Sequence, residues 1–266
     1  MSEVSPVILD ASPGGVAVVM LNRPEKHNAF NTEIIEQLSD AFETLRAADH
    51  VRVVFVRGSG KSFSAGADLT WMRAAADYTH DENAADALKL AEMLERLHSL
   101  PQMTVALVNG VAMGGGAGLV AACDIAVAVK SAQFRFSEVR LGLTPATISP
   151  YIIEAIGARR AKALFVSGEG FDAAYAEKIG LIQYVVEDPE GLDAMMSELA
   201  DLAFHTAPGA VADAKKLVRD VAGEPITHAL LADTAKRIAD RRASEEGREG
   251  LAAFLDKRRP SWSPER

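Results

Sequence analysis

Residues 103–123, MTVALVNGVAMGGGAGLVAAC, combine an apolar run, a glycine run and a helix-compatible segment. The apolar residues 103–110 predict a buried strand. The glycines at 114–116 allow a tight turn from that strand into a helix. They also admit close approach of an anionic ligand to the free N–H groups of a helix N-terminus. Both interpretations of the glycine run stand, and both predict a strand–turn–helix unit.

The flanking sequence repeats this alternation of strands and helices. Asn31 and Thr32 form a capping signal that predicts a helix start. Strands alternating with helices favour an α/β architecture in which helices bury the strands. The remaining predictions are strands at 16–22, 51–58 and 125–129, a helix at 82–100, and a loop of small residues at 61–68.

The pattern becomes mostly helical after about Pro150. We therefore expect a core domain at 1–200 and a helical region at 201–266 that covers the site or builds an oligomer. The last residues, 258–266, are expected to form an exposed tail.

Composition excludes several classes of protein. The 266 residues include 28 Lys and Arg against 37 Asp and Glu, a formal charge of −9 that speaks against a nucleic-acid partner. The acidic start of the chain predicts no leader peptide, and no apolar run is long enough to span a membrane. We therefore expect a cytoplasmic protein with neither a nucleic-acid nor a membrane partner.

The one cysteine, Cys123, excludes an internal disulfide. It lies in an apolar run, which favours a small buried side chain over a nucleophile. Because no other imidazole or carboxylate cluster suggests ligands, we expect no metal ion.

Two nucleotide-binding motifs are only partly matched. GSGKS at 58–62 lacks the upstream glycine of a P-loop, where Phe55 stands, and FSAGAD follows it instead of a helix start. The spacing Gly116-x-Gly118-x-x-Ala121 fits a permissive dinucleotide fingerprint, with Glu138 as its acid. That acid should end a strand, whereas the predicted strand ends at 129.

A second run of small residues, Ser64–Asp68, could also expose backbone N–H groups. Two such donors that converge on one oxygen would form an oxyanion hole. Sequence spacing alone does not establish that this run and the glycine run converge.

The order of motifs along the whole chain resembles the crotonase, or enoyl-CoA hydratase/isomerase, superfamily. The paired SAGAD and GGG motifs are the most specific part of the resemblance. The matching segments are NRPEKHNAF (22–30), FSAGADL (63–69), VNGVAMGGGAGL (108–119), CDIAVA (123–128), AQFRFSEVRLGLTP (132–145) and EGREGLAAFLDKRRPSW (246–262).

The resemblance implies a crotonase-like spiral of ββα turns followed by a C-terminal helical trimerisation module, in trimers often paired into hexamers. It implies an acyl-CoA substrate, with coenzyme A as part of that substrate and no separate cofactor. The N–H groups of Ala67 and Gly115 would hold the thioester oxygen. Phe254 and Lys257 match positions that cap the coenzyme A of a neighbouring subunit. The other implied substrate- or CoA-binding residues are Lys26, His27, Ala65, Gly66, Asp68, Leu69, Gly114 and Gly118; for Lys26 and His27 a solvated surface position is an equal alternative.

The chain departs from the family pattern at one catalytic position. Hydratases of this superfamily commonly use two glutamates, of which the second corresponds to Glu138 and the first to Gly118. One carboxylate with an oxyanion hole can still shuttle a proton between C2 and C4, or activate water and return the proton to C2. The alternative for Glu138 is an exposed, salt-bridging side chain.

A second departure is ATISPY at 146–151, which resembles the branch acting on branched, carboxylated acyl-CoAs, such as 3-methylglutaconyl-CoA and isohexenylglutaconyl-CoA hydratases. Thr147, Ser149 and Tyr151 either line an acyl pocket or stabilise a turn, and Arg140 either holds a distal carboxylate or forms a surface ion pair. We expect a hydratase of a 2-enoyl-CoA, branched or carboxylated by this resemblance, with Glu138 as base. The rivals are a Δ3,Δ2-enoyl-CoA isomerase and a catalytically silent CoA-binding trimer.

Overall fold

The computed structural model describes residues 5–263 and contains two β-sheets. Within this range the strands are β1 (Val7–Ala11), β2 (Val16–Leu21), β3 (Val53–Gly58), β4 (Ser62–Ser64), β5 (Met103–Val108), β6 (Val111–Met113), β7 (Ile125–Val129), β8 (Gln133–Arg135), β9 (Gly170–Asp172) and β10 (Tyr184–Val186). The larger sheet has the order β1–β2–β3–β5–β7–β10, and only its β1–β2 pair is antiparallel.

The larger sheet forms the centre of the core. Residues 53–56 of β3 are fully buried, as expected for a parallel strand covered on both faces. The strands predicted from β-branched runs are confirmed, with ends that differ by at most two residues.

The smaller sheet has the order β4–β6–β8–β9 and was largely missed by the sequence patterns. The prediction of a loop throughout 61–68 is wrong, because Ser62–Ser64 forms a buried strand that pairs in parallel with β6. Strands of three residues are too short to show an alternating pattern. Strands β4, β6 and β8 of this sheet each end next to residues of the candidate active site.

The helices within the described range cover both sheets. They are α1 (Thr32–Arg46), α2 (Leu69–Ala75), α3 (His80–His98), α4 (Gly115–Ala122), α5 (Ser149–Ser167), α6 (Ala173–Ile179), α7 (Pro189–His205), α8 (Pro208–Val221), α9 (His228–Ala243) and α10 (Glu245–Leu255). The predicted cap of α1 is confirmed, since the Asn31 side chain accepts a hydrogen bond from the Ile34 N–H at 3.0 Å. None of these helices is long and apolar enough to cross a membrane.

Helix α4 lies in the interior, packed against α3, α5 and β6. Six of its residues are buried, because glycine and alanine let neighbouring elements approach closely. Helix α5 is broken at Gly157, whose φ is +77°.

The C-terminal helices are more exposed than the rest of the chain. Helices α8 and α9 contain no buried residue, and α10 contains only Ala253. Since α7 spans residue 200, the boundary predicted between core and C-terminal region falls inside a helix; the division itself stays a prediction.

The predicted tail is exposed at Arg258, Arg259 and Ser261 but partly buried at 260, 262 and 263, and it is held against the rest of the chain. The Ser261 N–H donates to Oε1 of Glu249 at 2.8 Å, and the Trp262 carbonyl accepts from Arg52 at 3.3 Å. The Trp262 ring lies against Gly250, where glycine leaves room for it. Residues 264–266 of the predicted tail lie outside the described residues.

Candidate active site

An isolated parallel β-bridge joins Phe30 to Ala67 and orients the loop after β4. The Phe30 N–H donates to the Gly66 carbonyl at 2.6 Å, and the Asp68 N–H donates to the Phe30 carbonyl at 2.8 Å. In a parallel bridge the residues on either side of Ala67 make these bonds, so its own N–H points away from Phe30. That N–H has no hydrogen-bond partner within residues 5–263 and lies at an exposed position.

The glycine run forms the turn from β6 into α4. Gly114 has φ +49° and ψ −120°, which glycine adopts without the strain that a side chain would add. Its N–H donates to the Arg135 carbonyl at 3.0 Å. Gly115 begins α4, and its N–H has no partner in the described chain, as is usual for the first N–H groups of a helix.

The two segments that carry these free N–H groups touch one another. A β-carbon on Gly114 would lie 3.9 Å from Cα of Gly66, and one on Gly66 would lie 3.1 Å from the Met113 carbonyl oxygen. A β-carbon on Gly116 would lie only 2.6 Å from the Ser64 carbonyl oxygen. Glycine is therefore required for this close approach, which the sequence spacing alone did not establish.

Glu138 lies beside the same turn, at the start of the 3₁₀ turn that follows β8. Its Oε1 would be 3.2 Å from a β-carbon on Gly114, and its Oε2 is buried without a hydrogen-bond partner in the described chain. Burial raises the pKa of the Glu138 carboxyl, and the residue's own N–H opposes this shift. The alternative of an exposed, salt-bridging side chain is wrong: Glu138 is half-buried and forms no ion pair with any described residue.

The space beside Gly118 is occupied by an apolar side chain. A β-carbon at Gly118 would lie 2.5 Å from Cγ2 of Ile148 and 3.4 Å from Cδ1 of Leu94. Ile148 is fully buried. No carboxylate among these neighbours replaces the acid that is absent at Gly118, and Glu138 is the acid that faces the turn.

The same side of α4 meets further apolar side chains. A β-carbon on Gly115 would lie 2.9 Å from the Phe30 ring and 3.9 Å from Cδ1 of Leu90. Phe30, Leu90, Leu94 and Ile148 thus form an apolar wall along the glycines of α4. Sequence reasoning missed this wall, because its members come from three distant parts of the chain.

A family model described as enoyl-CoA hydratase/isomerase matches residues 11–265. The chain belongs to the enoyl-CoA hydratase/isomerase family. It is 38% identical to an enoyl-CoA hydratase from Shewanella pealeana (TM-score 0.94; 98% of this chain and 97% of that chain covered). It is 31% identical to an enoyl-CoA hydratase/isomerase from Marinobacter aquaeolei (TM-score 0.91; 98% and 100% covered). A curated relative, the enoyl-CoA hydratase ACTT6 of Alternaria alternata, is 33% identical over 82% of this chain and 71% of its own length.

These similarities confirm two predictions, that the chain has a crotonase-like α/β fold and that it is an enzyme. The roles of the residues implied to bind coenzyme A stay predictions.

Lys26 and His27 lie at the surface, in the segment after β2. His27 has a φ of +51°, and its Nδ1 lies 3.1 Å from the Ser62 hydroxyl. Its carbonyl accepts from the Ala65 N–H at 3.0 Å. His27 therefore helps to hold the loop that carries Ala67, whatever its side chain binds.

The carboxylate of Asp68 is engaged within the protein. Its Oδ1 caps α2 by accepting from the Thr70 N–H at 2.7 Å, and its Oδ2 pairs with Arg23 Nη2 at 3.2 Å. Burial raises the pKa of Asp68, but the hydrogen bonds from α2 and Arg23 outweigh burial and leave the pKa below its usual value. Leu69, next in the chain, is 70% exposed. Arg23 was missed by the sequence analysis.

Phe254 and Lys257 lie at the end of α10. Phe254 is 80% exposed, and Lys257 follows the helix with a φ of +53°. One chain alone leaves both side chains on the surface, which is where a residue that serves a neighbouring subunit must lie.

The residues proposed to bind a branched or carboxylated acyl group lie between the 3₁₀ turn at Glu138 and the start of α5. Tyr151 packs edge-on against His98, with ring centroids 5.2 Å apart, and the Ser149 hydroxyl donates to the Ala146 carbonyl at 2.8 Å, as a turn residue does. Arg140 is exposed and lies against Gly168. It forms no ion pair with a described residue, so the surface ion pair considered for it is wrong. Thr147 is partly buried in the same segment.

The nucleotide motifs have no structural support. Ser62 of the P-loop-like stretch is in β4, where a helix would be needed. Glu138 follows β8 on a 3₁₀ turn and does not end the strand after the glycine helix, as the dinucleotide fingerprint requires.

Cys123 packs against the core, and burial raises the pKa of its thiol, so it is not an activated nucleophile. Among residues 5–263, no group of three His, Cys, Asp or Glu side chains is arranged to hold a metal ion. The expectation of a site without metal stays a prediction.

Proposed function

We propose that the protein is an enoyl-CoA hydratase that adds water across the C2=C3 bond of a 2-enoyl-CoA thioester. One observation carries this proposal: the N–H groups of Ala67 and Gly115, which have no partner among residues 5–263, lie on segments in contact with each other. Glu138, beside the Gly114 turn, is half-buried, and its Oε2 has no hydrogen-bond partner in the same range.

The two N–H groups bind the thioester carbonyl oxygen. Attack of water at C3 moves negative charge onto that oxygen, and preorganised donors stabilise the resulting enolate more than the ground state. The N-terminus of α4 adds a partial positive charge at Gly115.

Glu138 moves the proton. As the carboxylate, it removes a proton from water while the water oxygen bonds to C3; the same proton then passes from the Glu138 carboxyl to C2 of the enolate, so that all atoms of water are added. A raised pKa suits a group that must first accept and then donate this proton.

The coenzyme A part of the substrate binds across the segment at Lys26 and His27 and the loop at 65–69. In an oligomer, Phe254 and Lys257 of one subunit close over the coenzyme A of its neighbour. Exposed apolar side chains on the C-terminal helices support a trimer or dimer of trimers; they are Leu202, Val218, Leu231, Ile238, Leu251, Phe254 and Leu255.

A Δ3,Δ2-enoyl-CoA isomerase is the second candidate, and the Ile148 side chain beside Gly118 favours it. An isomerase needs one base, which removes a proton from C2 and returns it to C4. An apolar side chain stands where a second carboxylate would activate water. The site therefore supplies the one base that an isomerase needs, and it also meets the requirement of single-base hydration.

The two reactions differ in the absorbance of the conjugated enoyl thioester. The assay uses a panel of 2-enoyl-CoAs, including methylglutaconyl-CoA, and the matching 3-enoyl-CoAs. Hydration consumes the 2-enoyl absorbance, whereas isomerisation of a 3-enoyl-CoA creates it. Loss of absorbance with a 2-enoyl-CoA supports the hydratase, and gain with a 3-enoyl-CoA without any loss across the panel contradicts it. No change with either class contradicts both.

A further inference from the structure

Arg23 lies two residues after the end of β2 and pairs with Asp68, which is next to the bridge that orients Ala67. Its side chain is only 19% exposed. The guanidinium lies between the two chain segments that the Phe30–Ala67 bridge joins.

The contacts of Arg23 fall on both sides of that bridge. Nη2 pairs with Oδ2 of Asp68 at 3.2 Å, and Nη1 donates to the Ala29 carbonyl at 3.3 Å. One planar guanidinium thus links Asp68, which follows Ala67, to Ala29, which precedes the bridge partner Phe30. Arginine can make both contacts because its N–H donors are fixed in one planar fork.

Both ends of this link are held independently. Asp68 is the N-cap of α2 and accepts from the Thr70 N–H at 2.7 Å. At the other end, the Arg23 N–H donates to Oδ1 of Asn28 at 2.8 Å, and the Asn28 N–H donates to the Arg23 carbonyl at 2.9 Å. Asn28 is fully buried, and its side chain also donates to the carbonyl of Ser62, the first residue of β4, at 2.8 Å.

We infer that Arg23, acting through Asp68, is a positioning residue that holds the Ala67 N–H in the direction needed to bind the thioester oxygen. The inference rests on the proposed function, since it assigns a task to the Ala67 N–H. A donor misplaced by about 1 Å loses much of its effect on the developing charge, because catalytic stabilisation depends on preorganised geometry.

The test compares two single variants, their combination and a control. Arg23→Gln removes the guanidinium. Asp68→Asn removes the ion pair but keeps the α2 cap, since Asn caps helices about as well as Asp. The control is Arg57→Gln, which removes an arginine paired with Asp193 at 3.1 Å, between β3 and α7.

Four quantities are measured for each variant: kcat and KM with a 2-enoyl-CoA, the melting temperature, and the red shift of a bound thioester with an extended conjugated acyl group. Polarisation of the carbonyl by the oxyanion hole causes that red shift, so it reports the direction of the Ala67 N–H without turnover.

We expect Arg23→Gln and Asp68→Asn each to lower kcat by about 10- to 100-fold. KM stays within about threefold of wild type, since CoA contacts are retained, and the red shift shrinks. The double variant is no worse than the poorer single variant, because both break one link. Arg57→Gln leaves kcat and the red shift unchanged.

The inference is overturned if folded Arg23→Gln and Asp68→Asn keep kcat within twofold of wild type, if the red shift stays at its wild-type size, or if the losses add in the double variant. A wild-type protein that binds the thioester with a red shift but turns over no enoyl-CoA contradicts the proposed function. In that case the red shifts of the variants still decide the role of Arg23.

Discussion

Glu138 is an acid held in a setting that favours its neutral form. One of its carboxylate oxygens is buried without a hydrogen-bond partner in the described chain, and burial raises its pKa. A charged carboxylate in this position lowers the stability of the folded protein but gains reactivity. The residue therefore makes two measurable contributions, one to activity and one to the pH dependence of folding.

Glu138→Gln should raise the melting temperature at pH 7 to 8. Because the folded pKa of Glu138 lies above the unfolded value of about 4.3, the folded state binds more protons between those two pKa values, and wild-type stability falls as pH rises through that interval. Glutamine carries no such cost. The difference in melting temperature between Glu138→Gln and wild type should vanish below about pH 4. A difference that is constant from pH 4 to 8 would contradict the raised pKa of Glu138.

The Ile148 side chain leaves no room for a β-carbon at Gly118. Gly118→Ala gains about 0.5–1 kcal/mol of helix propensity, but its β-carbon, 2.5 Å from Ile148 Cγ2, should cost about 1–3 kcal/mol through overpacking. We expect net destabilisation in urea unfolding. In an Ile148→Ala background, Gly118→Ala should become neutral or stabilising. The same sign in both backgrounds would show that Ile148 is not the obstacle.

How far the sequence predicts the site differs from residue to residue. The absence of an acid at Gly118 and the candidacy of Glu138 are readable from motif positions. The Ile148 side chain beside Gly118 and the Arg23–Asp68 pair are not, because each joins residues that are distant in the chain and adjacent only after folding.

At the level of elements, the strands and helices with full periodicity were predictable and those of three residues were not. Helix α1 begins at its predicted cap, and β7 has the predicted limits. The short strand β4 shows no periodicity of its own and owes its position to pairing with β6. That pairing brings the loop after β4 against the glycine turn, so the site depends on the elements that sequence patterns detect least.

Helix α8 is joined to the core by a partly buried ion pair. Lys215 Nζ lies 2.7 Å from Oδ2 of Asp124 and donates to the Gln102 carbonyl at 2.8 Å. Burial lowers the pKa of Lys215, and the Asp124 carboxylate opposes that shift. Asp124 also accepts from the backbone and hydroxyl of Thr104 at the start of β5.

Lys215→Gln should destabilise the protein by about 3 kcal/mol, since it leaves a shielded carboxylate without its cation. The pair holds α8 at the amino ends of β5 and β7, away from the Gly114 turn, so kcat per folded molecule should not change. Chemical unfolding and steady-state kinetics on the same preparation check both parts. A stability change below about 0.5 kcal/mol would place this pair with ordinary surface ion pairs.

At the scale of the whole molecule, the C-terminal helices of a single chain expose several large apolar side chains. Leu231 on α9 is 57% exposed and Leu251 on α10 is 53% exposed. Exposed apolar surface concentrated on one region is characteristic of a subunit interface. We expect a trimer or dimer of trimers, as the family resemblance implies.

Leu251→Asp should dissociate the oligomer, because an unpaired carboxylate cannot be buried in an apolar interface. Light scattering on the eluting protein measures the mass. Val166→Asp serves as control, since Val166 is 70% exposed on α5, outside the C-terminal helices. A wild-type monomer, or an oligomer that survives Leu251→Asp, would contradict the assignment of this interface.

The central claim, that Glu138 is the one carboxylate that moves the proton, is tested most directly by the hydration rate of the Glu138→Gln variant. Glu154→Gln is the matched control, because Glu154 on α5 faces His98 at 3.5 Å and not the Gly114 turn. With a 2-enoyl-CoA that wild type hydrates, we predict that Glu138→Gln lowers kcat by at least about 100-fold, while Glu154→Gln keeps it within about twofold and both variants bind the thioester. A Glu138→Gln variant that retains wild-type kcat would contradict the account.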